Sequence, residues 1–219
     1  VIVVVGAEPD EEHFTVDLLI KRAIRNGARL LCVGSAANRT TRVADVHLAC
    51  KPGSETEVLL ALAKALSQEP GEGAFLPAEL QGLAEQRSME ELAAAAEVST
   101  EDIRQAALLL AGSVARVVVF NKDWRGPRAP EDERIYAAFS RALGASHLAL
   151  RERSNMQGLL DMGAHPDWFP GYLATDDATA ITRLEREWCV ALRDLRRPDT
   201  DLMTAIAEKR IKVALVLGE

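Results

Sequence analysis

Val1-Ile2-Val3-Val4-Val5-Gly6-Ala7-Glu8-Pro9 opens the chain, and Arg29-Leu30-Leu31-Cys32-Val33 follows as a second short apolar run. Both read as strands buried on two faces, the pattern of a parallel sheet. Between them, Phe14 to Asn26 places Phe14, Leu18, Leu19, Ala23 and Ile24 at helical spacing. Lys21, Arg22 and Arg25 stand in its last turns, where cations suit the helix dipole, and Gly27 ends it. The unit is strand–helix–strand, for which a right-handed crossover is expected.

Working outward, Val46 to Cys50 is a third strand, and Lys51-Pro52-Gly53-Ser54 turns into a helix that Ser54 is expected to cap and that runs to Ser67. Residues 68 to 77 are rich in breakers, and an alanine-rich stretch to Glu97 reads as short helices. Ser99 opens a helix to Ala111, Val114 to Asn121 is strand-like, Pro130 to Leu143 is helical and His147 to Leu150 is a short strand. Asp199 to Glu208 is the last helix, before a closing strand over Val213 to Leu217. Alternating strands and helices imply an α/β fold, doubly wound around a mostly parallel sheet, with ligands at the carboxyl ends of the strands. The divisions expected are 1–150 for that domain and 151–219 for a glycine-rich loop and part of a second α/β lobe.

The 219 residues suffice for a buried core, and 48% hydrophobic with 27% charged residues is the composition of an ordinary globular protein. A formal charge of -7 argues against nucleic acid or an anionic membrane as partner. No apolar run approaches the ~20 residues that span a bilayer, so direct membrane insertion is not expected and the cytoplasm is the default. Cys32, Cys50 and Cys189 are odd in number and widely spaced, which supports neither a disulfide framework nor an iron–sulfur or zinc site. His13, His47, His147 and His165 form no metal-binding spacing, so no metal is expected; His13 and His165 are the functional candidates among them.

Two segments carry the candidate chemistry. Val5-Gly6-Ala7-Glu8-Pro9 sits where a phosphate-binding turn would, yet lacks G-x-G-x-x-G, and Glu8, Asp10, Glu11 and Glu12 put negative charge where a pyrophosphate would lie. Residues 154 to 172 are punctuated too densely by Gly and Pro for a helix or a strand. Their amides (Asn155, Gln157), carboxylates (Asp161, Asp167) and aromatics (Trp168, Phe169, Tyr172) suit a polar heteroaromatic ligand; a structural crossover is the even alternative. The apolar runs at both ends, each leading to Gly and an acid, are expected to mark a piece of a larger protein.

Asn155-Met156-Gln157-Gly158, Asp161-Met162-Gly163-Ala164, Pro166-Asp167 and Phe169-Pro170-Gly171-Tyr172 resemble the N-x-Q-G…D-M-G-A-x-P…P-G-Y segment of the molybdopterin oxidoreductase superfamily. Formate dehydrogenase alpha subunits and the large iron–sulfur subunit of NADH-quinone oxidoreductase (complex I) are the members it resembles most. Val4-Val5-Gly6-x-x-Pro9-x-x-x-His13, Ala44-Asp45-Val46-His47-Leu48, Pro52-Gly53-Ser54 and Ile103-Arg104-Gln105-Ala106-Ala107 fall in the family's order. The resemblance implies a Rossmann-like domain, a much longer parent subunit and partners in an electron-transfer complex peripheral to the cytoplasmic membrane. It also implies parent iron–sulfur clusters outside this stretch and, in molybdenum members, molybdopterin guanine dinucleotide.

Departures from the family's pattern then weigh on function. Its D-P-R after the second strand is Gly34-Ser35-Ala36, its G-x-N-P asparagine is Glu8, and its later G-M-G turn is Asn121-Lys122-Asp123. These changes favour a scaffold like the large iron–sulfur subunit of NADH-quinone oxidoreductase, one that has lost molybdopterin binding and is itself without cofactor or activity. The alternative is a formate dehydrogenase alpha fragment, in which His13, Asn155, Gln157 and Asp161 would contact the cofactor and Arg151 would stand beside formate. A freestanding nucleotide-binding or scaffold module is the third reading.

Overall fold

Valine at four of the first five positions makes β1 (Ile2–Val5) the buried middle of the sheet. The computed structural model describes residues 1–35, 37–68, 80, 82, 86–121, 129–151, 155–165, 167–192, 202–211 and 213. β1 pairs in parallel with β2 (Leu30–Gly34) on one side, Val3 opposite Leu31, and with β4 (Val117–Asn121) on the other, Val3 opposite Val118. β3 (Val46–Ala49) and β5 (Ser146–Leu150) add outside them, giving the order β3-β2-β1-β4-β5 with every pairing parallel. The chain thus leaves β1 to one side and returns to the other, which creates a topological switch point at the carboxyl ends of β1 and β4.

Alternation along each strand separates two cores. Val3, Val5, Leu31, Val33, Val118 and Phe120 face α3 (Glu55–Ser67), α4 (Met89–Ala95), α5 (Thr100–Ala111) and α6 (Ala129–Ala142). Val4, Leu30, Cys32 and Val119 point the other way, onto Ile20 of α2 (Phe14–Arg25), which follows the single turn α1 (Pro9–Glu12). α3 is apolar nearly all round, and every residue from Val58 to Ala63 is buried, because other helices enclose it. Ser88 and Glu91 form a reciprocal capping box on α4, and Ser99 caps α5 by accepting from the Asp102 amide, each worth ~1 kcal/mol.

The expected doubly wound parallel sheet is present, with local differences. Ser54 does not cap α3; its hydroxyl donates instead to the Lys51 carbonyl at 2.6 Å, closing the preceding turn. The fourth strand begins at Val117 and not Val114, because the approach is shaped by Arg116. Its guanidinium donates to the carbonyls of Leu110 and Leu143 at 3.0 Å, satisfying the open C-terminal ends of two helices at once.

The first compact unit is Val1–Ser154 and the second Asn155–Glu219. In the second, the segment read as irregular contains α7 (Met156–Asp161) and an antiparallel hairpin of β6 (Trp168–Phe169) and β7 (Leu173–Ala174). Gly and Pro punctuate the ends of these elements, and none is longer than six residues, which is why no periodicity marked them. α8 (Ala178–Trp188) follows, capped by the Asp177 carboxylate on the Thr179 amide at 2.8 Å, then α9 (Leu202–Ala207). The breaker-rich loop 69–77, the Lys122-Asp123 turn and the closing strand at 214–217 lie outside the described residues. Among the described residues no helix is long and apolar enough to cross a membrane.

Candidate functional site

The strand ends form a cleft of about 230 Å³ at the switch point. Gly6 makes it possible: its φ of +53° is a left-handed conformation, and its amide donates to the Val33 carbonyl at 2.9 Å, turning the chain sharply at the end of β1. Side chains then fill the approach. Glu8, Glu12 and Glu55 line the cleft with Asn38, Thr40 and Asn121, and a Cβ on Gly6 would touch the Glu55 side chain at 3.7 Å. Burial, followed by the charges of Glu11, Glu12 and Asp10, holds the Glu8 carboxyl above the ordinary carboxylate range. No Lys or Arg stands among the described lining residues. Among the described residues the cleft thus offers a pyrophosphate carboxylates and no cation.

The loop after β2 is tied down from α1. The Asp10 carboxylate accepts from the Thr40 hydroxyl at 3.1 Å and from the Arg39 amide at 3.3 Å, and Thr40 is buried. Asn38 and Thr41 close the same loop through paired bonds of 2.9 Å between each amide and the other's side chain. A carboxylate of the protein thus occupies two donors, at Arg39 and Thr40, in the loop that follows β2.

The second cluster is the loop of the second unit, where Gln157 and Asp161 meet each other and Tyr172. Asp161 accepts from Gln157 Nε2 at 2.7 Å and from the Tyr172 hydroxyl at 2.6 Å, and Gln157 Nε2 also bonds the Tyr172 oxygen. The main chain joins in: the Gly171 amide donates to the Asp161 carbonyl at 3.0 Å. Tyr172 adopts φ +61°, a costly conformation for an aromatic residue, and the hydroxyl network fixes it there. Asn155, just before α7, lays its side chain over Gly158, where an added Cβ would come within 2.5 Å of Asn155 Oδ1. The amide and carboxylate read as candidate ligand groups at 157 and 161 therefore brace the loop itself.

His13 and Arg151 belong to the first unit. His13 joins α1 to α2, and its Nε2 is buried without a hydrogen-bond partner; Arg151 follows β5 and is half-buried. His165 stacks on Trp168 with ring centroids 5.0 Å apart. Cys32 and Cys50 are buried, with their thiols pushed up by burial to about 12 and about 11, and Cys189 is exposed. Among the described residues no group of three or more His, Cys, Asp or Glu is arranged to hold a metal ion. The pairing of Asp10 with Thr40 and the role of Glu55 escaped the sequence, since each joins residues far apart in the chain.

No family model matches the chain. Relatives nevertheless align along nearly all of it. Formate dehydrogenase H of Escherichia coli is 27% identical over 99% of this chain and 32% of its own length. The NADPH-Fe(3+) oxidoreductase subunit alpha of Geobacter sulfurreducens is 30% identical over 99% of this chain and 27% of its own. The F420-dependent formate dehydrogenase 2 subunit alpha of Methanococcus maripaludis is 25% identical over 90% of this chain and 31% of its own. The chain thus spans about a third or less of the curated relatives it matches. Acetylene hydratase from Pelobacter acetylenicus shares the fold over 65% of this chain and 21% of its own, with a TM-score of 0.52 at 13% identity.

Proposed function

We propose, from the premise that the homologues of this chain are formate dehydrogenase and related molybdopterin oxidoreductase subunits, that it is a scaffold segment of such a subunit which no longer holds the dinucleotide cofactor. The parent is the large iron–sulfur subunit of an electron-transfer complex of the NADH-quinone oxidoreductase type. It is cytoplasmic and peripheral to the membrane, and electrons pass through iron–sulfur clusters in other parts of it. The observation that carries the reading is the acidic switch-point cleft, lined by Glu8, Glu12 and Glu55 with no Lys or Arg among its described residues. The self-bonded Gln157–Asp161–Tyr172 network supports it, because those groups are already used within the loop. Each polar contact that such changes remove from a ligand costs roughly 1–3 kcal/mol, enough together to abolish binding.

Residues 1–219 then act by holding shape: the parallel sheet fixes the cleft, Asp10 holds the β2–β3 loop shut, and Asp161 braces the second unit. Calorimetry with GDP, standing for the distal half of the cofactor, tests this. The expected dissociation constant is no tighter than about 1 mM, near -4 kcal/mol. A micromolar constant would overturn the scaffold reading.

A second reading is favoured by the formate dehydrogenase names among the relatives and by the unpartnered His13 Nε2. In it the chain is a formate dehydrogenase alpha segment whose His13, Asn155, Gln157 and Asp161 reach the cofactor and whose Arg151 stands by the substrate. Micromolar GDP binding that His13→Ala or Asn155→Ala weakens is the result this reading requires.

A further inference from the structure

We infer that the aromatic edge of the second unit is a docking surface for an arginine-bearing stretch of the parent polypeptide outside these 219 residues. The rings of His165, Trp168 and Tyr172 form one run, His165 stacked on Trp168 at 5.0 Å and Tyr172 edge-on to Trp168 at 5.1 Å. Trp168 and Tyr172 keep 38% and 42% of their surface exposed, and Met162 74%. Grouped aromatics on a surface are the residues that dominate binding energy at protein interfaces. The platform is also rigid, since Tyr172 is pinned at φ +61° by its bond to Asp161, so little conformational freedom is lost when a partner arrives.

Charge selects the partner. Residues 155 to 182 contain Asp161, Asp167, Asp176 and Asp177 and no Lys or Arg. The hairpin gathers part of this charge at one end: Trp168 lies opposite Ala174, and the Thr175 amide donates to the Asp167 carbonyl at 2.9 Å, so Asp167 and Asp176 are each next in sequence to a residue of this cross-strand pairing. A cation over an indole face with carboxylates at its rim is the environment that suits a guanidinium, which stacks as a plane and bonds carboxylates through its fork; a compact ammonium does neither as well. The source follows from length, because the relatives are three to four times as long as the stretch they share with this chain. This source rests on the reading of the chain as one segment of a longer subunit; the platform's chemistry does not.

The test is titration of the chain with tetra-arginine, tetralysine and tetraglutamate, followed by the indole N–H resonance of Trp168. Tetra-arginine should shift that resonance at a concentration several-fold lower than tetralysine, and tetraglutamate should leave it unmoved. Trp168→Ala should weaken tetra-arginine binding about tenfold. Asp176→Asn, an exposed position, should weaken it several-fold with an unchanged circular dichroism spectrum, which covers the case that the tryptophan variant unfolds. Equal responses to the two cationic peptides, insensitive to both substitutions, would reduce the effect to general attraction by the net charge of -7 and overturn the proposal. Overlapping peptides tiled over the rest of the parent then locate the source: an arginine-containing tile should compete with tetra-arginine, and the failure of every tile would overturn docking within the parent. GDP binding that Trp168→Ala does not affect would sink the scaffold reading alone, so the two failures are separable.

Discussion

Gly163→Ala and Gly171→Ala form a matched pair of perturbations in the braced loop. Both glycines have left-handed backbones, at φ +76° and +74°. A Cβ on Gly171 meets nothing within 4 Å, whereas one on Gly163 would lie 2.4 Å from the Pro170 nitrogen and 2.7 Å from the Phe169 carbonyl carbon. The conformational penalty common to both is about 1–2 kcal/mol. At Gly163 the obstacle is backbone, which cannot swing aside as a side chain can, and forced displacement adds roughly another 1–3 kcal/mol. Gly171→Ala should therefore cost about 1–2 kcal/mol and Gly163→Ala about 2–5 kcal/mol. Urea unfolding followed by tryptophan fluorescence reads both, since Trp168 and Trp188 report on this unit. Equal costs for the two variants would refute the account of Gly163 pressed against Pro170 as the point on which the loop turns.

Further outcomes follow from the same geometry. Thr40→Val removes the buried hydroxyl that donates to Asp10 and should cost about 1–2 kcal/mol in urea unfolding, with Asp10→Asn costing less because it keeps one acceptor. Tyr172→Phe and Asp161→Asn should each destabilise the second unit by about 1 kcal/mol, and their double mutant by less than the sum, as a cycle on one shared network requires. Only Cys189 should react with iodoacetamide in the native chain at pH 8, with Cys32 and Cys50 labelled after unfolding, because burial keeps those two protonated. For Glu8 the folded state raises the pKa above 4.5, so its contribution to stability is fully present below that value and is lost as pH rises through the folded value. Glu8→Gln, permanently neutral, should raise the urea midpoint at pH 7 and show no advantage near pH 3.5, and a gain independent of pH would exclude titration as its cause.

Much of the sheet was legible because its signals are local. Val1 to Val5, Leu30 to Val33 and the helix from Phe14 each follow from the order of apolar residues over a few positions, and a buried parallel strand needs no knowledge of its neighbours to be recognised. The acid run from Glu8 to Glu12 likewise announced an acidic turn at the end of β1 before any contact was known. Where the reading slipped, a distant group had intervened. Residues 114–116 failed to join the fourth strand because Arg116 is engaged by the ends of two helices, and Ser54 gave up its cap to close a turn. The Trp168–Phe169 hairpin was hidden because two-residue strands carry no period.

From the sequence alone come the α/β class, the parallel order of the elements, the resemblance to molybdopterin oxidoreductases and the suspicion that the nucleotide contacts are gone. Those rest on hydrophobic period and on residue identity, which are properties of neighbours in the chain. Only the tertiary structure decides what the polar residues do. Gln157 and Asp161 have the chemistry to hold a ligand, yet both are bound to Tyr172, and Asp10, an unremarkable helix-start acid, is the anchor of a loop thirty residues away. A hydrogen bond depends on two groups meeting within about 3 Å at the right angle, and such a meeting between distant segments leaves no trace in either segment's pattern.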